Sequence, residues 1–137
     1  MKSILIAILL LSPDALSYAQ TKHAAQMSVQ EAKQFAIAAI SPETKRMRGF
    51  QLIPDNSAYK GLYVFNAIWE GLPGGSMEIG FYAVDPITGT VWNAVTECDQ
   101  LSSPELSRLQ LKRREQSGYS KIQFGKLQAK GPQCPTN

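Results

Sequence analysis

Four acidic residues near two tryptophans form the combination in this chain that is most suggestive of chemistry. The acids are Glu70, Glu78, Glu97 and Asp99, and the tryptophans are Trp69 and Trp92. Two carboxylates on either side of a sugar linkage are the usual machinery of glycoside hydrolysis. Acids that flank strands and turns are also ordinary solvent-facing residues. Hydrolysis by Glu70 and Glu78 is therefore one interpretation, and a structural role is the other.

Other kinds of catalysis lack the residues that they require. His23 is the single histidine, and it lies in a polar stretch near the start of the chain. Serine or cysteine nucleophiles need a base close by, and zinc sites draw mainly on histidine and cysteine. Gly74-Gly75 lacks the lysine of a phosphate-binding loop. We therefore expect no catalytic set, no metal and no cofactor.

The first nineteen residues have the pattern of an export signal. Lys2 precedes an uncharged apolar run, Ile4–Leu11, and small residues at Ser17 and Ala19 predict cleavage before Gln20. The run is too short to cross a bilayer, which needs about 20 residues. A buried N-terminal helix is the alternative. Residues 1–19 are therefore predicted to be a signal peptide, and the mature protein to be periplasmic or secreted.

Residues 20–137 are of the size of one domain. The formal net charge of the chain, +3, is too small to indicate nucleic-acid binding. The basic excess is concentrated near the end of the chain. A basic patch is predicted there, at Arg108, Lys112, Arg113 and Arg114. Such a patch fits an acidic partner, an anionic lipid surface or a plain solvated helix face.

The two cysteines, Cys98 and Cys134, are predicted to form one disulfide, because exported chains usually meet oxidising conditions. The loop-entropy model assigns such a bond about 3–4 kcal/mol. Two free thiols or a metal pair are the alternatives.

Helices are predicted near both ends of the domain. Ser28 with Glu31 begins the first helix, and Ser41-Pro42 ends it. The second begins with Ser103 as N-cap, or alternatively with Ser102, and ends at Gly118. Short apolar runs between and after them predict strands at Phe50–Ile53, Leu62–Trp69, Met77–Val84 and Thr90–Val95, with an edge strand at Ile122–Phe124. This order predicts an α+β fold with three or four antiparallel strands.

A glycine-rich connection between the two longest strands is the best candidate for binding. Tryptophan is a favoured anchor in protein interfaces, so Trp69 beside this loop and Trp92 on the neighbouring hairpin are candidates as well, as one jointly exposed surface. The predicted binding residues are Trp69, Gly71, Gly74, Gly75, Ser76 and Trp92. In the alternative, both tryptophans are core residues.

The hairpin Tyr82–Trp92 resembles that of PepSY-type exported domains, which share the pattern V-D-x-x-T-G-x-V. The resemblance implies a cystatin-like α+β fold, with a helix against an antiparallel sheet. It also implies a possible role as a module that restrains a peptidase through the sheet edge.

The format of the chain is similar to that of small periplasmic immunity or inhibitor proteins, which neutralise cell-wall-degrading enzymes. The chain has an export signal and a single domain with one predicted disulfide, and it lacks a catalytic set. This similarity implies a protein partner, and an inhibitor that occludes the partner enzyme with the Gly71–Ser76 loop is the leading hypothesis. A sugar-active hydrolase and a PepSY-like module are the alternatives.

Overall fold

The computed structural model describes residues 25–56, 61–71, 73–94 and 98–131. The predicted signal peptide, His23, Glu97 and Cys134 lie outside these ranges. The signal and the Cys98–Cys134 disulfide therefore stay predictions. No helix among the described residues has the length and apolar character required to cross a membrane.

The described chain forms one antiparallel sheet and four helices, which confirms the predicted α+β class. The helices are α1 (Val29–Ala39), α2 (Pro42–Lys45), α3 (Pro104–Ser117) and α4 (Lys121–Gln128). The strands are β1 (Gln51–Asp55), β2 (Tyr63–Glu70), β3 (Ser76–Val84), β4 (Val91–Asn93) and β5 (Asp99–Gln100). They lie side by side in chain order, so β1 and β5 are the two edges of the sheet. The sheet thus has five strands rather than the predicted three or four.

The N-terminal helix begins as predicted, because the Ser28 hydroxyl accepts a hydrogen bond from the Glu31 amide at 3.1 Å. The dipeptide Ser41-Pro42 has a second role that was not predicted. It follows the end of α1, and it also begins the short helix α2, with Ser41 as N-cap and Pro42 in the first turn.

The N-cap of α3 also joins two helices. Ser103 Oγ accepts from the Leu106 amide at 2.9 Å and donates to the Ala38 carbonyl oxygen at 2.6 Å. We expect Ser103→Ala to lower the free energy of unfolding by about 1–2 kcal/mol, because both groups lose their partner. Urea denaturation measures the difference. The exposed neighbour Ser102 is the matched control, and an equal effect of Ser102→Ala would contradict this assignment of the cap.

The predicted edge strand Ile122–Phe124 is wrong, because these residues belong to α4. Ser120 and Gln123 form a complete capping box: Ser120 Oγ accepts from the Gln123 amide, and Gln123 Oε1 accepts from the Ser120 amide. Phe124 is then buried and Ile122 exposed. The alternation of apolar residues imitated a strand, whereas the capping box three residues apart was the decisive signal.

The two faces of the sheet differ in what lies against them. On the first face, Phe65, Ala67 and Val84 pack with Phe35 of α1 and Leu106 of α3 in the main core. Tyr82 belongs to this core, and burial raises the pKa of its hydroxyl, which keeps it neutral. The second face has a smaller cluster made entirely of residues in or beside the strands, namely Val64, Ala83 and Trp92 with Leu62, Phe81 and Ala94. Among the described residues, no helix contributes to that cluster.

A β-bulge changes the predicted arrangement of β3. Ala67 pairs with Gly80, but the next residue, Ile68, pairs with Glu78, so Ile79 is the extra residue. Ile79 packs against the first-face core, whereas Phe81 lies with the second-face cluster. Regular alternation along the predicted strand Met77–Val84 would put Ile79 and Phe81 on one face, and the bulge interrupts it.

Candidate functional site

The connection between β2 and β3 is a short, exposed glycine loop. The Gly71 amide donates to the Gly75 carbonyl oxygen at 2.9 Å and closes the loop at its base. Pro73, Gly74 and Gly75 are exposed, whereas Gly71 is buried. Gly74 has φ of 114°, a backbone conformation that favours glycine. At Gly74 and Gly75 the loop therefore presents backbone groups.

Trp69 and Met77 lie directly opposite each other at the base of this loop, as a cross-strand pair of β2 and β3. Trp69 is half-buried, and Met77 is 54% exposed. Directly opposed side chains on neighbouring strands contact each other. The pair therefore provides an apolar surface at the loop, and Met77 is the member that sequence reasoning missed.

A charged pair lies on the neighbouring part of the sheet. Arg48 Nε is 3.3 Å from Glu70 Oε2, and both side chains are mostly exposed. The backbone continues this contact, because the Glu70 amide donates to the Arg48 carbonyl oxygen at 2.9 Å. An exposed pair of this kind contributes little to stability, typically below about 1 kcal/mol. We call Arg48, Trp69, Glu70, Pro73–Gly75 and Met77 together the loop end.

Trp92 does not join Trp69 in one exposed surface. It pairs with Ala83, belongs to the second-face cluster, and is 4% exposed. Trp69 lies on the opposite side of the sheet, because it shares the alternation of Phe65 and Ala67 along β2. Trp92 is therefore a core residue, and the prediction of a joint tryptophan surface is corrected.

The predicted basic patch is divided by the structure. Arg108 and Lys112 are exposed on α3, and Arg114 is half-buried. Arg113 is buried and donates from Nε to the Ile87 carbonyl oxygen at 2.9 Å. Its Nη2 also donates to the carbonyl oxygens of Ala25 and Pro86, and its Nη1 lies 3.9 Å from Glu31 Oε1. Arg113 thus joins elements of the core and is not part of a docking surface, which is a correction.

The acids considered for hydrolysis occupy different parts of the sheet. Glu70 is paired with Arg48, and Glu78 accepts a hydrogen bond from Asn66 Nδ2 at 3.3 Å. Glu70 lies opposite Ser76 and Glu78 opposite Ile68, and the row of Trp69 and Met77 is between them. Asp99 lies on the edge strand β5, and Glu97 is outside the described residues. Within the described ranges, no group of three or more His, Cys, Asp or Glu residues is arranged to hold a metal ion.

Of the two edges of the sheet that a PepSY-like module could use, the one formed by β1 has a groove beside it. A groove of about 530 Å³ follows this edge. Its lining comprises Lys33, Ile37, Phe50, Gln51, Leu52, Ile53 and Pro54. Pro54 lacks an amide hydrogen, so a strand added at this edge would lose one donor.

No protein-family model matches the chain, and no curated protein matches it. The PepSY-like resemblance is therefore not supported by a family match. The fold is similar to that of a chain in the structure of a type VI secretion system effector–immunity complex from Pseudomonas protegens, with a TM-score of 0.63. The two sequences are 22% identical, and the alignment covers 81% of this chain and 92% of that chain. At this level of identity, the similarity establishes a shared fold.

Proposed function

We propose that this chain is a non-enzymatic immunity-type protein that binds a partner enzyme and occludes its active site. The observation that carries the proposal is the similarity in fold, over most of both chains, to a component of an effector–immunity complex. The loop end supports it, since it is an exposed feature on a rigid sheet.

The proposed mode of binding follows from the composition of the loop end. Gly74 and Gly75 have no side chains beyond hydrogen, so the tip of the loop is narrow and its backbone groups are accessible to a cleft. Met77 and Trp69 supply an apolar centre on one face of the sheet, and the Arg48–Glu70 pair supplies charged groups on the other face, so a cleft that admits the loop would contact both. An apolar centre with a polar rim is the usual anatomy of a protein interface.

The proposal includes a location and a class of target. The export pattern in residues 1–19 and the cysteine pair favour the periplasm, and an enzyme that degrades the cell wall would act there. Inhibition in that compartment would protect the cell that makes this protein.

Affinity capture with the full-length mature chain tests the proposal. We expect a stoichiometric enzyme to be recovered and its activity to be inhibited by the wild-type chain. Met77→Asp should weaken binding by about 30-fold or more, because it places a charge in the apolar centre. The control is Ile122→Asp, which changes a side chain on α4 that is 72% exposed.

Two results would count against this proposal. A captured protein that keeps full activity in the presence of saturating wild-type chain would exclude inhibition. Equal binding by the Met77→Asp and Ile122→Asp variants would exclude the loop end as the contact.

A further inference from the structure

Asn66 is a polar residue in the middle of the second face of the sheet. In the register it lies between Ile53 on β1 and Phe81 on β3, so both direct neighbours are apolar. Ile53 is 43% exposed, and Phe81 is half-buried. Among the described residues, the second-face cluster contains no helix residue.

The amide of Asn66 is only partly satisfied. Its Nδ2 donates to Glu78 Oε2 at 3.3 Å, whereas its buried Oδ1 has no hydrogen-bond partner among the described residues. If the side-chain amide of Asn66 were turned over, its Oδ1 would lie against the Glu78 carboxylate. Glu78 therefore determines which way this amide points. An unsatisfied buried acceptor destabilises the folded state. The hydrogen bond that Asn66 does make holds the Glu78 carboxylate in position.

The β-bulge at Ile79 contributes to the same arrangement. Without the extra residue, strict alternation from Phe81 would place Glu78 on the first face, with the helices. With the bulge, Glu78 pairs with Ile68 and lies beside Asn66 on the second face. Bulges often redirect a side chain next to a functional site.

The charged residues of the sheet indicate which kind of partner side chain this surface would bind. None of the five described strands contains a lysine or an arginine. The strands contain four acids, Asp55, Glu70, Glu78 and Asp99, although the whole chain has a formal net charge of +3. Glu70 is already paired with Arg48, whereas no described lysine or arginine forms an ion pair with Glu78. A cationic side chain would therefore meet complementary charge at Glu78 and repulsion on the helical side, where Arg108 and Lys112 are exposed.

We propose that the second face of the sheet binds a basic side chain of the partner enzyme at Glu78, with Asn66 as the positioning residue. The apolar residues around that side chain are Ile53, Ile68 and Phe81. A carboxylate held by a hydrogen bond is a good acceptor for an arginine or lysine. This inference rests on the proposed function, because it names a second contact with the same enzyme, adjacent to the loop end through Glu70.

Site-specific photo-crosslinking in the cell that encodes the chain tests the inference. The probe is a benzophenone amino acid, introduced into the full-length chain at Ile53, at Met77 or, as a control, at Ile122. We expect the same enzyme to be crosslinked from Ile53 and Met77 and not from Ile122. The Ile53 crosslink should map to a peptide that contains arginine or lysine.

Two substitutions then separate binding from stability. With the captured enzyme, Glu78→Gln should weaken binding at least about tenfold, whereas Asp99→Asn on β5 should leave it unchanged. Asn66→Val should also weaken binding but raise the Tm by about 4 °C, because the unsatisfied oxygen is removed. A purely structural Asn66 would lower the Tm when it is replaced.

The outcomes distinguish the two proposals. Crosslinking of the enzyme from Met77 but not from Ile53, or unchanged binding by Glu78→Gln, would overturn the inference and leave the proposed function standing. Crosslinking of no enzyme from either position would overturn both.

Discussion

Replacing Arg113 with alanine is expected to lower the free energy of unfolding by about 3 kcal/mol. The guanidinium donates to the carbonyl oxygens of Ile87, Ala25 and Pro86 and lies beside the Glu31 carboxylate. Because the side chain is only 9% exposed, water replaces these charge-assisted hydrogen bonds poorly when the group is removed. Urea denaturation of the two proteins measures the loss.

The contacts of Arg113 explain why one side chain has so large an effect. It joins α3 to the β3–β4 turn and to the segment that precedes α1. The same segment is held by the Met27 amide, which donates to the Pro86 carbonyl oxygen at 2.8 Å, and by the Tyr63 hydroxyl, which donates to the Met27 carbonyl oxygen at 3.0 Å. Loss of Arg113 therefore loosens three elements together.

Two comparisons make this prediction specific. Arg108→Ala, on the exposed side of the same helix, should change the free energy of unfolding by less than about 0.5 kcal/mol. Arg113→Lys should restore only part of the loss, because one ammonium group does not reproduce the planar set of guanidinium donors. If Arg113→Ala were as stable as Arg108→Ala, the assignment of Arg113 to the core would be wrong.

Gly89→Ala is expected to lower the free energy of unfolding by a similar amount, about 3 kcal/mol. Gly89 has φ of 68°, which is unfavourable for alanine, and a Cβ atom at this position would overlap with the Phe35 ring. Its carbonyl oxygen accepts from Gln110 Nε2 at 3.0 Å, so the turn has little freedom to move away.

The control for this prediction is Gly118→Ala at the end of α3. Gly118 has φ of 73°, but no described heavy atom lies within 4 Å of the position that its Cβ would occupy. It should therefore show only the backbone strain, about 1 kcal/mol. Thermal unfolding measures the loss of unfolding free energy in each variant. The difference between the two losses is the cost of the overlap with Phe35. Equal losses would contradict the close approach of Phe35 to the turn.

Local signals in the sequence predicted much of the fold. The caps at Ser28 and Ser103 and the end of α3 at Gly118 each depend on a few neighbouring residues, and the structure confirms them. The turn after β3 has the same local character: Asp85 Oδ1 accepts from the amides of Ile87 and Thr88, both at 2.8 Å. Such features are readable because the interacting groups lie within four residues of each other.

Features that depend on distant contacts were not predictable in this way. A basic run on a helix normally faces solvent, and only the packing of α3 against the β3–β4 turn shows that Arg113 is buried. The bulge at Ile79 lies next to Gly80, and an isolated glycine within a strand is a signal of a bulge, but the apolar residues at alternate positions of β3 favoured a regular strand. The burial of Trp92 follows from the register between β3 and β4, which the sequence alone does not define.

The candidate site was predicted in part. The glycine loop follows Trp69 as predicted, although Ser76 is the first residue of β3 and not part of the loop. The roles assigned to Met77 and Asn66 came from the strand register. The contribution of these residues to binding stays a prediction.

Titration of the partner enzyme with the purified mature chain tests the central claim most directly. The account predicts that enzyme activity falls to the background level at one chain per enzyme molecule. It also predicts that Met77→Asp shifts the inhibition curve to higher concentration while Ile122→Asp does not. An enzyme that binds the chain but remains fully active at saturation would contradict occlusion of its active site.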